Sequence, residues 1–249
     1  MQRPGQPLPY PIFLGYAWSD DSGETWEADF SRPALAPALK QELDEIYIQS
    51  PDGRRVVNYS NGCIEDPRLF HLEGKLYLTC ACRMFPPGPY WTGTPLTCCQ
   101  PKWAAEDKHG LGKAATWNVT VSVLYEVDLA ALRERRYEQA FTYVTHLSDP
   151  ERGDNRDVFL FPEKLRINGR LQYALLHRPW SPAEYEVGAG LAQPSIFLSA
   201  ADRIEDLATD QAEQHVLAVP LFDWESNRIG ASWPAIRLED GQWLVSYHG

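Results

Sequence analysis

EDPRLFHLEGKLYL, residues 65–78, sets a pattern that the chain repeats twice more, in FPEKLRINGRLQYAL (161–175) and WPAIRLEDGQWLV (233–245). Each segment has a proline, a glycine seven positions later and a large apolar residue two positions after that: Pro67, Gly74 and Leu76; Pro162, Gly169 and Leu171; Pro234, Gly241 and Trp243. The glycine stands in Glu-Gly, Asn-Gly or Asp-Gly, between apolar and partly alternating runs. Such dipeptides between such runs signal a β-hairpin, whose tight turn needs positive φ. Three similar hairpins in one chain predict a repeat architecture, and for sheets that is a β-propeller. A propeller brings the ends of its inner strands to one central pocket. Residues beside the three prolines would then meet, although they are distant in sequence.

Outward from these segments, GYAWSDDSGETW (15–26) reads as a strand, a turn and a return strand. Ser19, Asp21, Gly23 and Trp26 fit the Asp-box pattern, a structural turn to which no chemistry is assigned. Residues 32–60 close a first blade, a second starts near Asn61, and TVSVLYEVD (120–128) and FTYVTHL (141–147) read as further strands. A third blade is expected from about Asp154 to Ala200 and a fourth from HVLAVPLF (215–222) onward. Residues 84–117, rich in Pro, Gly and Trp, are too long for an ordinary connection and read as an insertion on the pocket rim. A blade takes roughly 40–50 residues, so the chain is expected to be one all-β domain of about four blades that lacks a closing blade.

Composition narrows the function classes. The 249 residues carry 34 Asp+Glu against 23 Lys+Arg, a formal charge of -11, which argues against a non-specific nucleic-acid binder. Nine Trp, twelve Tyr and nine Phe suit strand cores and also suit stacking on sugar rings. Cys63, Cys80, Cys82, Cys98 and Cys99 are odd in number and contain no C-x-x-C pair, so free thiols in a reducing cytoplasm are expected rather than a disulfide framework or a zinc site. The N-terminus lacks the apolar run of a signal peptide, and no stretch reaches the ~18 apolar residues of a membrane span.

Charged residues gather beside the repeat prolines. Glu65, Asp66 and Arg68 flank Pro67, and Glu163 and Lys164 follow Pro162. Arg83 and Arg178 each lie sixteen positions after their prolines, with His177 and His248 at fifteen and fourteen after theirs. One carboxylate-rich corner and several cations would face a common axis, either as ion pairs bracing adjacent blades or as a reactive site. A carboxylic acid can protonate a leaving glycosidic oxygen, and Lys, Arg and His together can hold inorganic phosphate. An acid opposite a bound phosphate describes phosphorolysis of a glycoside.

Asn61-Gly-Cys-Ile-Glu-Asp-Pro-Arg68 resembles the G-x-E-D-P-R segment of glycoside hydrolase family 130. Val158-Phe-Leu-Phe-Pro-Glu-Lys164, Leu176-His-Arg-Pro179, Ile229-Gly-Ala-Ser-Trp-Pro-Ala-Ile236 and Ser246-Tyr-His-Gly249 resemble later segments of that family, in order. The resemblance implies a five-bladed β-propeller acting on β-mannosides, by phosphorolysis in most members and by hydrolysis in some. It implies Asp66 as general acid, working through the mannose 3-hydroxyl, and attack by phosphate with inversion to give α-mannose 1-phosphate. It implies Lys164 and His177 as phosphate contacts, with Arg178 and His248 in the same cradle. Glu65, Arg68 and Glu163 would orient neighbours or sugar hydroxyls. Phosphate is then a co-substrate, no metal or organic cofactor is implied, and a homo-oligomer is compatible with an open sheet edge. A hydrolase on the same fold would need a second carboxylate as base, for which Glu163 or Asp157 are candidates. A non-catalytic sugar-binding propeller or an inactive fragment is the third reading. Arg3 is the only arginine ahead of the Ser19 turn, where the family carries further ones.

Overall fold

The computed structural model describes residues 11–87 and 100–249. Cys98, Cys99, Arg3 and the 88–99 stretch of the rim insertion lie outside the described residues. Nearly all regular structure is antiparallel β. Strands β1 (Tyr16–Trp18) and β2 (Glu27–Asp29) pair across the Ser19 turn, and β3 (Tyr47–Gln49) pairs with β4 (Arg55–Val57). A four-stranded meander follows: β5 (Cys63–Leu72), β6 (Lys75–Arg83), β7 (Val121–Val127) and β8 (Phe141–His146). A five-stranded sheet holds β9 (Asn155–Leu160), β10 (Leu165–Ile167), β11 (Arg170–Pro179), β12 (Ile196–Ala201) and β13 (Glu213–Ala218). Strand β14 (Gly230–Ala231) pairs with β17 (Tyr247–His248), and β15 (Ile236–Arg237) pairs with β16 (Trp243–Leu244). No helix among the described residues is long and apolar enough to cross a membrane.

The three repeated segments do form hairpins. Leu72 pairs with Lys75 and Ile167 with Arg170, leaving two-residue loops. Glu73 and Gly74 have φ of 51° and 80°, and Asn168 and Gly169 have 49° and 82°, the two positive values of a type I′ turn. At the third hairpin only Gly241 has positive φ, at 83°, and Leu238 N–H closes a wider loop on the Gln242 carbonyl. One expected boundary shifts: HVLA belongs to β13, which pairs with β12 and closes the five-stranded sheet instead of opening the next. An apolar edge strand followed by Pro220 has the same local signature as a strand that starts a new sheet.

Strand periodicity explains why the two large sheets are apolar on both faces. Leu124 faces one cluster with Phe70, Leu72, Val158, Leu160 and Leu175, which joins the two large sheets. Its neighbours Val123 and Tyr125 face the opposite way, against Ile64, Leu78 and the short helix α2 (Leu129–Arg133), which follows α1 (Gly112–Thr116) in the chain. Leu175 and its neighbours Ala174 and Leu176 alternate likewise, the latter two packing toward Ile229, Ala231 and Trp243. Each alternating residue is thus buried on one side or the other, worth about 1.5–3 kcal/mol for a fully buried large aliphatic side chain.

Both first strands of the large sheets carry a bulge. Glu65 pairs with Ala81 and Arg68 with Thr79, so Asp66 and Pro67 together oppose Cys80. Phe159 pairs with Leu176 and Arg156 with Arg178, so Asp157 and Val158 together oppose His177. At both bulges the aspartate is left-handed, with φ of 54° at Asp66 and 56° at Asp157. That conformation is costly for most side chains and better tolerated by Asp.

Candidate active site

The bulge of β5 turns two adjacent carboxylates toward β9. Arg156 reaches both: its Nη2 lies 3.1 Å from Glu65 Oε1 and its Nη1 lies 3.6 Å from Asp66 Oδ2. The side chain of Asp66 is 44% exposed and that of Glu65 is 19% exposed. Burial raises the Glu65 carboxyl above its ordinary range, with Arg156 opposing and the Asp66 charge adding to the rise. An accessible carboxyl beside a half-shielded one, with a guanidinium across both, is an arrangement that can give and regain a proton.

Asp157, next along β9, is the buried centre of a second layer, its side chain only 6% exposed. Its Oδ2 accepts from Arg178 Nε at 2.6 Å and its Oδ1 accepts from Arg68 Nη2 at 2.9 Å. His248 Nε2 lies 3.5 Å from the same Oδ2. Burial alone would raise this carboxyl, but Arg178, then Arg68 and His248, hold it below its ordinary range. Gly230 makes the approach feasible, since a Cβ there would stand 2.1 Å from Asp157 Oδ2 and 2.9 Å from His248 Nε2.

The two arginines on Asp157 differ in how fully they are used. Arg68 Nε donates to the Ser232 carbonyl at 3.1 Å, Nη2 also to the Ala231 carbonyl at 3.3 Å, and Nη1 to the Asp66 carbonyl at 3.2 Å. Every nitrogen of Arg68 therefore has a partner. Arg178 is buried, with its guanidinium carbon 5.7 Å from the Trp180 ring centre, and its Nη1 has no partner among the described residues.

Asp66, Glu65, Arg68, Arg178 and His248 are thus linked through Arg156 and Asp157. Lys164, Glu163 and His177 have other partners. Lys164 Nζ lies 3.9 Å from Glu73 Oε1 and 4.2 Å from the Tyr173 ring centre. Glu73 sits in the hairpin turn at the far end of β5 from Asp66, roughly 20 Å away at ~3.3 Å per residue. Glu163 forms an ion pair with Arg237. His177 points to the face opposite Arg178, as successive strand residues do. Its Nδ1 accepts from Asn155 Nδ2 at 2.9 Å, which leaves Nε2–H to donate to Ser199 Oγ at 2.9 Å. Burial pushes His177 down to about 4, so at neutral pH it carries no charge. The polar cavity beside it, about 10 Å³, has room for about one water. Arg83 braces the start of β9, with Nη2 3.1 Å from Asp154 Oδ1.

Arg156 is the site residue that the sequence reading passes over. A signal for it exists: Asn155-Arg156-Asp157 precedes the apolar run VFLF much as Glu65-Asp66-Pro67-Arg68 precedes LFHL.

No protein-family model matches the chain. Over 229 residues it is 28% identical to a beta-1,2-mannobiose phosphorylase of Listeria innocua serovar 6a, a match that covers 86% of this chain and 58% of that protein. Over 94 residues it is 34% identical to a 1,2-beta-oligomannan phosphorylase of Thermoanaerobacter sp., covering 38% of this chain and 25% of that one. The chain therefore spans little more than half the length of the first of these relatives. The solved structure of the Listeria innocua beta-1,2-mannobiose phosphorylase in complex with beta-1,2-mannobiose aligns with a TM-score of 0.47 at 17% identity, covering 92% of this chain and 43% of that one. Both relatives are named as phosphorylases of β-1,2-linked mannose saccharides, and the chain is similar to them in sequence over the stretches given.

Proposed function

We propose that this chain carries the catalytic centre of a β-mannoside phosphorylase, on large sheets that are blades of a five-bladed propeller. Asp66 is the general acid. Its proton passes by way of the mannose 3-hydroxyl to the glycosidic oxygen, the C1–O bond breaks, and an oxygen of inorganic phosphate bonds to C1 from the opposite face. The products are α-mannose 1-phosphate and the released sugar with its new hydroxyl, and the stereochemistry inverts. Arg156 and Arg178 are the cations of the phosphate cradle, with His248 at its edge. Arg68 and Glu65 orient the bulge, and His177 acts as a neutral support rather than a charge.

The observation that carries this reading is the way the carboxylates are used. A hydrolase of the inverting type needs a second carboxylate free to take a proton from water. Asp157 is clamped between Arg68 and Arg178, and Glu163 is tied to Arg237. Asp66 remains accessible beside guanidinium groups, which suit an anionic co-substrate. The experiment is to incubate short β-mannosides with and without inorganic phosphate and follow mannose 1-phosphate. Its phosphate-dependent release supports the proposal. Free mannose at a phosphate-independent rate would assign hydrolysis instead, and mannoside binding without product would leave a sugar-binding protein.

A further inference from the structure

Asp157 is used more heavily than a simple brace requires. One oxygen takes Arg178 by its Nε edge and the other takes Arg68, which in turn bonds the Asp66 carbonyl. We propose that Asp157 is a positioning residue for the phosphorolysis: it orients the Arg178 guanidinium toward the bound phosphate and, through Arg68, fixes the bulge that carries Asp66. The proposal rests on the phosphorylase reading given above.

Three observations separate this role from that of a structural ion pair. The first is the contrast between the two arginines. In a brace every donor is consumed, as in Arg68, whose nitrogens end on Asp157 and on the carbonyls of Asp66, Ala231 and Ser232. Arg178 is held at Nε alone, while its Nη1, buried with the rest of a side chain that is 5% exposed, has no partner among the described residues. A buried guanidinium N–H without an acceptor is costly, and an anion with several acceptor oxygens removes that cost. The second is backbone strain. Asp157 adopts φ of 56° on its own bulge, a conformation that the surrounding structure must impose and that tends to occur where a side chain is aimed for function. The third is the space reserved for it. The backbone of Gly230 approaches so closely that any side chain there would strike the Asp157 carboxylate.

The test uses inorganic phosphate as the probe, titrated calorimetrically into the folded protein, together with steady-state kinetics on a β-mannoside. Asp157→Asn should weaken phosphate binding at least ~10-fold, the effect of losing one charge-assisted hydrogen bond. The KM for phosphate should rise more than the KM for the mannoside, and kcat should fall as the Asp66 bulge loosens. Asp157→Glu, which keeps the charge, should recover part of the phosphate affinity. Arg178→Lys, which keeps a cation but has no Nη1, should weaken phosphate binding whether or not Asp157→Asn folds. A folded Asp157→Asn, or a folded Arg178→Lys, that binds phosphate as the wild type does would reduce Asp157 to a brace and overturn the inference. Wild-type protein that neither binds phosphate nor needs it for cleavage would overturn the phosphorylase reading, and this inference with it.

Discussion

Asp66 and Asp157 share one backbone device and have opposite surroundings. Each is left-handed on a two-residue bulge of the first strand of its sheet, opposite Cys80 and His177 respectively. Asp66 is 44% exposed and shares Arg156 with Glu65, whereas Asp157 is 6% exposed and clamped by two arginines. Arg156 and Asp157 are neighbours in β9, so one strand supplies the contact to the accessible acid and the anchor of the buried layer.

If Asp66 is the proton donor, Asp66→Asn should lower kcat at least ~10²-fold, the lower range for removing general acid catalysis. Because the side chain is largely exposed, melting temperature should change little. The check is the initial rate of mannose 1-phosphate release at saturating phosphate. A rate within a few-fold of wild type would remove Asp66 from the role.

Arg156→Gln should raise the KM for phosphate by about tenfold or more, the loss of one charged hydrogen bond. Its pairs with Glu65 and Asp66 are partly exposed, and exposed pairs contribute only about 0–1 kcal/mol, so stability should fall only slightly. Denaturant melts and phosphate titration on the same sample separate the two. A large loss of stability with unchanged kinetics would make Arg156 a brace.

His177 predicts a pH dependence of stability with a definite sign. Its folded value, about 4, is below the ordinary 6.5, so the unfolded chain takes up a proton first as pH falls. Stability from this group is intact above pH 6.5, declines between 6.5 and 4, and is fully lost below that, by about 3 kcal/mol. Urea melts at pH 7 and pH 4.5 should show the loss in wild type and a smaller one in His177→Gln. Equal losses in both would assign the acid sensitivity to other groups.

Gly230→Ala should destabilise the protein by about 1–3 kcal/mol, the usual cost of forcing extra volume into a packed site. The added methyl would sit 2.1 Å from Asp157 Oδ2 and 2.9 Å from His248 Nε2, so it strikes the anchor of both arginines. Thermal melting reads the stability, and the KM for phosphate should rise in the same variant. An alanine variant as stable as wild type would mean that the β14–β17 pair yields without cost.

Much of this was legible in the residues and some was not. Gly74 and Gly169 announce their hairpins because a type I′ turn needs positive φ, and their flanking runs supply the strands. Asp66 stands out because Pro67 punctuates its strand. Asp157 and Val158 make their bulge without proline or glycine, so nothing local marks it or the Arg156 beside it. Spacing grouped His177 with Arg178, but alternation sends them to opposite faces, one into a neutral polar network and the other onto Asp157. Lys164 follows the motif, yet it lies beyond the end of β9 and settles on Glu73 and Tyr173. Pairing across sheets, unlike pattern along a strand, is not written in any local window.

The guanidinium of Arg68 has a consequence for synthesis. It bonds the Ser232 carbonyl, 164 residues further along the chain. At translation rates of about 5–20 residues per second, Arg68 is added to the chain roughly ten to thirty seconds before its acceptor exists. The first large sheet, whose last strand ends at His146, can close in that interval while Arg68 still lacks its last partners. The linked cluster around Asp157 is then a late product of biogenesis, completed when the segment around Gly230 docks, and a chain stalled before that segment would hold its first large sheet without the contacts that fix Arg68.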